Sequence, residues 1–582
     1  MVTNTVDSRQ TQVTDGPVKG KFLQIRTLGA INTEIESQQE FTHALRYRHN
    51  TLAPISSLPN EIIAAIFFLL RSPGTVGRPD IHLVLRVAHV CHLWREIALS
   101  HPLLWSHLNF TTVNAAGATE ILSRAKMAPL YLEAKVPLRH WDDDRFLALQ
   151  KELQTHISHI HHLRISAEHF RLHTTLEGLV SPAPTLEHLS LSIETCPSRR
   201  PSQVSVPDTL FNGTTPRLSS LQLCNCNISW KSPLLKGLEN LTLSVSTRPS
   251  LTHWLDALDE MPQLRRLVLD TASPITPCLP FDVRRTVTLP FLVHLDISAS
   301  VLDCGLALAH LVLPALNSLY VTTRSGHMTA NDMRKILPYV VQHAHGPQDT
   351  QPLQSVFISG ERTRVDIVAS PLPNIESIES EAKLSARIAL SITSTFRNYH
   401  DDHIRILDAA VAALPLDSLV TLTSPYNTQL NEQFWRHHAP RWRLLEHVHL
   451  APLPARGFRD MLLQDDGGNE YPILPSLTTL DLIDSALSER RTFLLCDALM
   501  KRVEQGVPLE VLDLRTCYAT SVAVQALGEI VADVWCPTEL ETIEKEESKD
   551  PTWDGARGPF VSDDDSGEEY YSPGFNSYNI MT

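Results

Sequence analysis

LEHLSL (Leu186–Leu191) decides the fold, because its apolar-x-x-apolar-x-apolar phrase returns along most of the chain. It is preceded by IHHLRI (Ile160–Ile165) and followed by LSSLQL (Leu218–Leu223), LENLTL (Leu238–Leu243), LRRLVL (Leu264–Leu269), LVHLDI (Leu292–Ile297), LNSLYV (Leu316–Val321) and LQSVFI (Leu353–Ile358). LEHVHL (Leu445–Leu450), LTTLDL (Leu477–Leu482) and LEVLDL (Leu509–Leu514) close the series. The last two apolar positions alternate, which suits one face of a short strand, and the first reaches the same core from the preceding turn. One strand per unit, stacked in parallel, lets each unit cover its neighbour's exposed apolar face.

The first steps are 26, 32, 20, 26, 28 and 24 residues and the last two are 32 and 32, the period of an irregular leucine-rich repeat. Between Leu353 and Leu445 the copies are degraded, with LDSLVTL (Leu416–Leu422) expected to be one of them. Return segments with a helical pattern include Asn331–Ala344, Ile404–Leu414 and Glu489–Gly506. The asparagine-rich turn of regular repeats is mostly missing, although LQLCNCNIS keeps Asn225 and Asn227.

Composition agrees with a large soluble α/β chain. Of 582 residues, 84 are leucine, whereas only 22 are glycine, which leaves little material for phosphate-cradling loops. The net charge of −15 speaks against nonspecific binding to nucleic acid or anionic lipid. Most of it is local: from Glu539 to Thr582 twelve acidic and three basic residues give −9. The longest apolar run, Ile62–Leu70, is far shorter than the roughly 20 residues that span a bilayer, so no membrane segment is expected. Nine scattered cysteines and a polar N-terminus without a signal-peptide layout point to a cytoplasmic or nuclear protein.

Upstream of the repeats, residues 1–20 are polar and expected to be disordered, and a helical pattern over 21–50 places Ile31, Ile35 and Leu45 at heptad-compatible spacing. Polar Gln38, Thr42 and His49 on the same seam favour a single amphipathic helix packed on its neighbour over a coiled coil. A first short helix ending near Leu70 would present Ile62, Ile63, Ile66 and Leu70 on one face; Arg71–Asp80 would break it; a second would run from Ile81 to about Leu99. So much apolar surface cannot be buried within some 50 residues, so other chain or a partner must cover it.

These residues carry a resemblance. Leu58-Pro59, Glu61, Ile62, Ile66-Phe67, then Val90-Cys91, Trp94-Arg95, Ile97 and Trp105 resemble an F-box, and the junction RHNTLAPI (Arg48–Ile55) resembles the fungal, basidiomycete-type form. The resemblance implies an all-helical module over 51–110 that docks on a Skp-family adaptor and through it on a cullin. Leu58, Pro59, Ile62, Ile66, Val90 and Trp94 would lie at that interface. With a leucine-rich-repeat solenoid over 111–538 and an acidic disordered tail over 539–582, the expected function is recruitment of a protein client to a cullin-based ubiquitin ligase. The alternative is an interaction scaffold outside ubiquitin transfer.

No catalytic signature appears: there is no nucleophile elbow, P-loop, dinucleotide glycine motif or His-Glu-x-x-His, so the chain is expected not to be an enzyme. The histidines at 156, 159, 161, 162, 169 and 173 have no companion ligand at a recognised spacing, and Cys224 and Cys226 lack a second pair. No metal and no cofactor are expected. Asp142, Asp143 and Asp144 are expected to cap a helix beginning near Arg145, and Ser562 and Ser566 precede acidic residues in the tail.

Overall fold

The computed structural model describes residues 28–69, 81–136, 143–194, 203–245, 251–271, 285–325, 329–347, 351–361, 364–373, 386–394, 399–426, 428, 430–463 and 472–536. The expectations for residues 1–20, for Arg71–Asp80, for Asp142 and for the acidic tail, with Ser562 and Ser566, lie outside them. Two compact units divide between Leu132 and Glu133.

The first unit is mostly helical: α1 (Leu28–Thr51), α2 (Asn60–Phe68), α3 (Ile81–Ala88), α4 (His92–Ser100), a short strand β1 (His107–Asn109), α5 (Ala115–Ala125) and the first half of β2 (Leu130–Lys135), within which the division falls. Ile63, Ala64, Phe67, Val84, Ile97, Ala98, Leu104 and Trp105 form its core. The Trp105 indole donates to the Ala98 carbonyl at 2.7 Å, and the Arg124 guanidinium lies 4.6 Å above its ring.

Two expectations are corrected here. The helix read from Ile81 to about Leu99 is two helices, broken at His89–Cys91 with Cys91 fully extended (φ −155°, ψ 171°). Arg95 from α4 reaches back to donate to the Ala88 carbonyl at 3.0 Å, supplying a cation and a donor where α3 ends. Second, α1 does not pack as an amphipathic helix. Ile31, Ile35 and Leu45 are exposed, and a ring contact of 6.1 Å from Tyr47 to His92 marks its approach to α4. Gln38, Thr42 and His49 interrupt the stripe, so no continuous apolar face exists to bury.

The second unit begins with α6 (Asp143–His156), two residues ahead of the expected start, followed by β3 (Ile160–Ala167), α7 (His169–Gly178), β4 (His188–Ile193), β5 (Ser220–Cys224), β6 (Asn240–Val245), α8 (Leu251–Asp259), β7 (Arg266–Thr271), β8 (His294–Ala299), α9 (Val301–Ala309), β9 (Ser318–Ser325) and α10 (Leu337–Ala344). Then come β10 (Ser355–Glu361), β11 (Arg364–Ser370), β12 (Ile388–Ser394), α11 (Tyr399–Ala413), β13 (Thr421–Ser424), α12 (Glu432–His438), β14 (His447–Leu450), α13 (Pro452–Leu463), β15 (Thr479–Leu482), α14 (Glu489–Glu504), β16 (Val511–Asp513), α15 (Ser521–Gly528) and β17 (Asp533–Trp535).

From β3 to β9 neighbouring strands pair in parallel, with equivalent positions of the phrase in register: Leu163, Leu189, Leu221, Leu241, Leu267, Leu295 and Leu319 form one buried row. The first leucine of each phrase, such as Leu186, Leu238, Leu264 and Leu292, is fully buried, as the turn-to-core reading requires. Asn225 takes the left-handed conformation (φ 57°) directly after β5, and its amide donates to the Ser244 carbonyl at 2.8 Å. Asparagine tolerates that region better than other non-glycine residues. The later return helices pack in succession, α11 on α12, α12 on α13, α13 on α14 and α14 on α15. Gly457 on α13 allows the second of these approaches, at α12's entry: a Cβ there would stand 2.0 Å from the Leu430 carbonyl oxygen.

Between Leu353 and Leu445 the chain departs from simple repetition. β9 pairs in parallel with β12, not with β10; β11 runs antiparallel between β12 and β10; and β10 then pairs in parallel with β13. The copy expected at Leu416–Leu422 is present but three residues later, since Leu422 pairs with Val448 and Ser424 with Leu450. Leu419 therefore takes the first position of the phrase, and Ser424 replaces the last apolar residue.

Candidate functional site

The first unit separates its apolar residues into two sets. Along α2, Ile63 is fully buried while its neighbour Ile62 remains 49% exposed. Residues four apart share a helix face, so Ile66 follows Ile62 outward while Phe67 follows Ile63 inward. This corrects the single broad face that the sequence suggested. Pro59 precedes the helix, and its carbonyl accepts from the amides of Ile62 and Ile63 at 3.0 and 3.2 Å. A residue without an N–H suits this place because the first helical donors need no partner behind them.

Leu58 and Pro59 are exposed at the entry to α2, and Val90 is 60% exposed in the break between α3 and α4. Trp94 is half-buried, with its ring 5.2 Å from Phe67 in an edge-on contact. Of the six residues named from sequence, five stand out into solvent and Trp94 joins the surface to the core. Ile55, Leu69, Leu99 and Leu103 are also exposed and were not singled out. The signal for Leu99 and Leu103 was their neighbours, the core residues Ala98 and Leu104; Ile55 and Leu69 have no such neighbour in the sequence. Ala88 is buried, while His89 and His92 remain on the surface, where His92 pairs with Glu96 at 3.5 Å.

The histidine-rich segment is distributed over three elements. His156 closes α6, with 3.4 Å to Glu152 and 3.3 Å to His159. His159 is buried, and burial followed by the neighbouring His156 and His161 lowers its pKa. His162 on β3 faces His188 on β4 at 5.5 Å between rings, and His169 on α7 contacts the Gln203 carbonyl at 2.9 Å. Cys224 and Cys226 are both buried and neither is in a disulfide; burial first, then Cys224, pushes the Cys226 thiol up to about 12. Among the described residues, the group that brings three ligand-type side chains together is a different one, Asp408, His437 and His438.

Residues 55–111 match the F-box-like family. The first unit thus contains an F-box-like module, and α2, α3 and α4 are its helices. No curated protein matches the chain. Among the described residues, no helix is long and apolar enough to cross a membrane.

Proposed function

We propose that the chain recruits a protein client to a cullin-based ubiquitin ligase, with the F-box-like module bound to a Skp-family adaptor. The observation that carries this reading is the division along α2: Ile62 and Ile66 face solvent although Ile63 and Phe67 already supply the module's core. Exposed apolar side chains at such spacing suit insertion into a partner's groove. Leu58, Pro59, Val90 and Trp94 extend the same interface. The junction RHNTLAPI supports the fungal form of the module; Ser56, the residue after it, donates to the Asn50 carbonyl at 2.7 Å, fixing the turn from α1 toward α2.

The parallel sheet is read as an irregular leucine-rich-repeat solenoid that holds the client. The support is the in-register pairing of equivalent leucines and the burial of the phrase's apolar positions. Its opposite rows are polar, as in His162, His188, Ser220, Asn240, Arg266, His294 and Ser318. The mechanism is proximity: a client held near activated ubiquitin meets it at high effective concentration, and no residue of this chain performs covalent chemistry.

The test is binding of the purified full-length chain to a Skp-family adaptor, compared with a Leu58→Ala/Pro59→Ala variant. Loss of binding with unchanged circular dichroism is expected. A wild-type chain that does not bind the adaptor would overturn the reading. Adaptor recovered without a cullin in native pull-downs would favour the scaffold instead.

A further inference from the structure

We propose that Asp408, His437 and His438 form a binding site for one divalent transition-metal ion of the zinc class. Asp408 lies on α11 and the two histidines end α12, the return helices on either side of β13. One potential ligand atom from each residue lies within 4.8 Å of the other two. His438 Nε2 is 2.9 Å and His437 Nδ1 is 3.9 Å from the same Asp408 carboxylate oxygen. A point equidistant from atoms so spaced lies at most roughly 2.4 Å from each, a few tenths of an ångström beyond the ~2.0–2.2 Å of zinc–nitrogen and zinc–oxygen bonds.

The site is built on a rigid side. His438 is fully buried, its ring stacked at 5.6 Å on Trp442 and 4.6 Å from Phe434. The Asn431 side chain caps α12 by accepting from the Phe434 amide at 3.0 Å. His437 stands mostly in solvent, so an ion could enter from water and keep a water-filled fourth position. The nearby Arg441 is engaged with Asp417 at 3.4 Å and with the carbonyls of Ala412 and Leu414.

Two imidazoles and one carboxylate match zinc and its first-row neighbours better than calcium or magnesium, which prefer oxygen. Among the described residues His438 Nδ1 has no hydrogen-bond partner, so the outer contact that usually steadies a ligating histidine is missing there. Such contacts are worth about 10–100-fold in affinity, so this site should hold its ion that much more weakly than one whose histidines are all steadied. A simple Asp408–His438 hydrogen bond would explain two of the three residues. It gives no role to His437, and His437 is therefore the residue to change.

The experiment is titration of the dialysed full-length chain with Co²⁺, followed by visible ligand-field absorption, then displacement with Zn²⁺. The same titration is made on His437→Ala and Asp408→Asn. The wild type is expected to take one equivalent with low coordination number and to gain thermal stability with Zn²⁺. Each variant, with unchanged circular dichroism, is expected to bind at least tenfold more weakly and to lose the thermal gain. Absence of uptake by the wild type, or uptake by His437→Ala equal to the wild type, would overturn the site and assign any bound metal to other surface histidines.

Discussion

Ile62→Ala and Ile63→Ala remove the same atoms from adjacent residues of α2, yet they are expected to fail in different ways. Ile63 is fully buried, and truncating a buried isoleucine costs about 3 kcal/mol through lost transfer energy and the cavity left behind. That is roughly a 150-fold change in an equilibrium constant, so amides in α2 and α4 should exchange faster by about this factor if they open with the F-box-like module. Ile62 is 49% exposed, and alanine is the better helix former by a few tenths of a kcal/mol, so its loss should leave exchange unchanged. In the complex, however, about 60 Å² of apolar surface would no longer be removed from water. At about 25 cal/mol per Å² this is about 1.5 kcal/mol, roughly tenfold in Kd for the adaptor.

Hydrogen exchange by mass spectrometry and calorimetric titration with a Skp-family adaptor separate the two outcomes. If Ile62→Ala binds within twofold of the wild type, the outward face of α2 is not the interface. If Ile63→Ala leaves exchange untouched, the assignment of the module's core is wrong.

Two further outcomes test the second unit. Gly457→Ala sets a helix-propensity gain of about 1 kcal/mol against a Cβ placed 2.0 Å from the Leu430 oxygen and 2.9 Å from the Asn431 carbonyl carbon. Both obstacles are backbone, so the clash should win by about 2 kcal/mol and lower the urea midpoint; an unchanged or higher midpoint would refute the close approach. His294, whose pKa is lowered to about 4 by burial and then by Arg266, should make the fold weaken in acid. Its unfolded form takes up a proton below about 6.5 while the folded form resists until about 4, so stability falls as pH drops through that window, by about 1–2 kcal/mol at pH 5. Urea midpoints at pH 7 and pH 5 should therefore differ less in His294→Gln than in the wild type, and equal differences would sink the assignment.

What was legible in the sequence was whatever repeated with a strict period. Leucines at the first and second positions of each phrase can sit only in the core when the strands stack in register, and they do. The reversal at β11 was not legible. VFIS, VDIVAS and IALSIT bury both faces, so they lack the alternation that would mark a strand's orientation or partner. Leu416, Leu419 and Leu422 are spaced three apart, which fits the phrase in either of two registers; pairing with β14 selects the later one. In the F-box-like module, NEIIAAIFF is apolar nearly all round, so periodicity could not say whether Ile62 or Ile63 points inward. The break at His89–Cys91 contains neither glycine nor proline, and its stabilising contact comes from Arg95, on the next helix. Asp408 and His437 lie on successive return helices, and no linear spacing joins them.

The two surfaces implied by the proposed function differ in chemistry, and the difference follows from the elements that carry them. A short helix exposes a side chain at every turn, so a module whose core needs only Ile63, Phe67 and their partners can hold Ile62, Ile66 and Val90 outward as apolar anchors. Apolar anchors that enter a groove concentrate binding energy in few residues, which suits a constant partner. A parallel sheet instead alternates faces, so every outward position lies between two buried ones and must tolerate water when no client is bound. Arg164, Gln222 and Thr242 occupy such positions, and polar groups of this kind select a partner through charge and hydrogen-bond complementarity more than they hold it. A recruiting subunit needs that asymmetry: if the client were held as tightly as the adaptor, release after modification would limit turnover. Substitutions in the outward rows should therefore change which client is bound while leaving the adaptor's affinity unaltered.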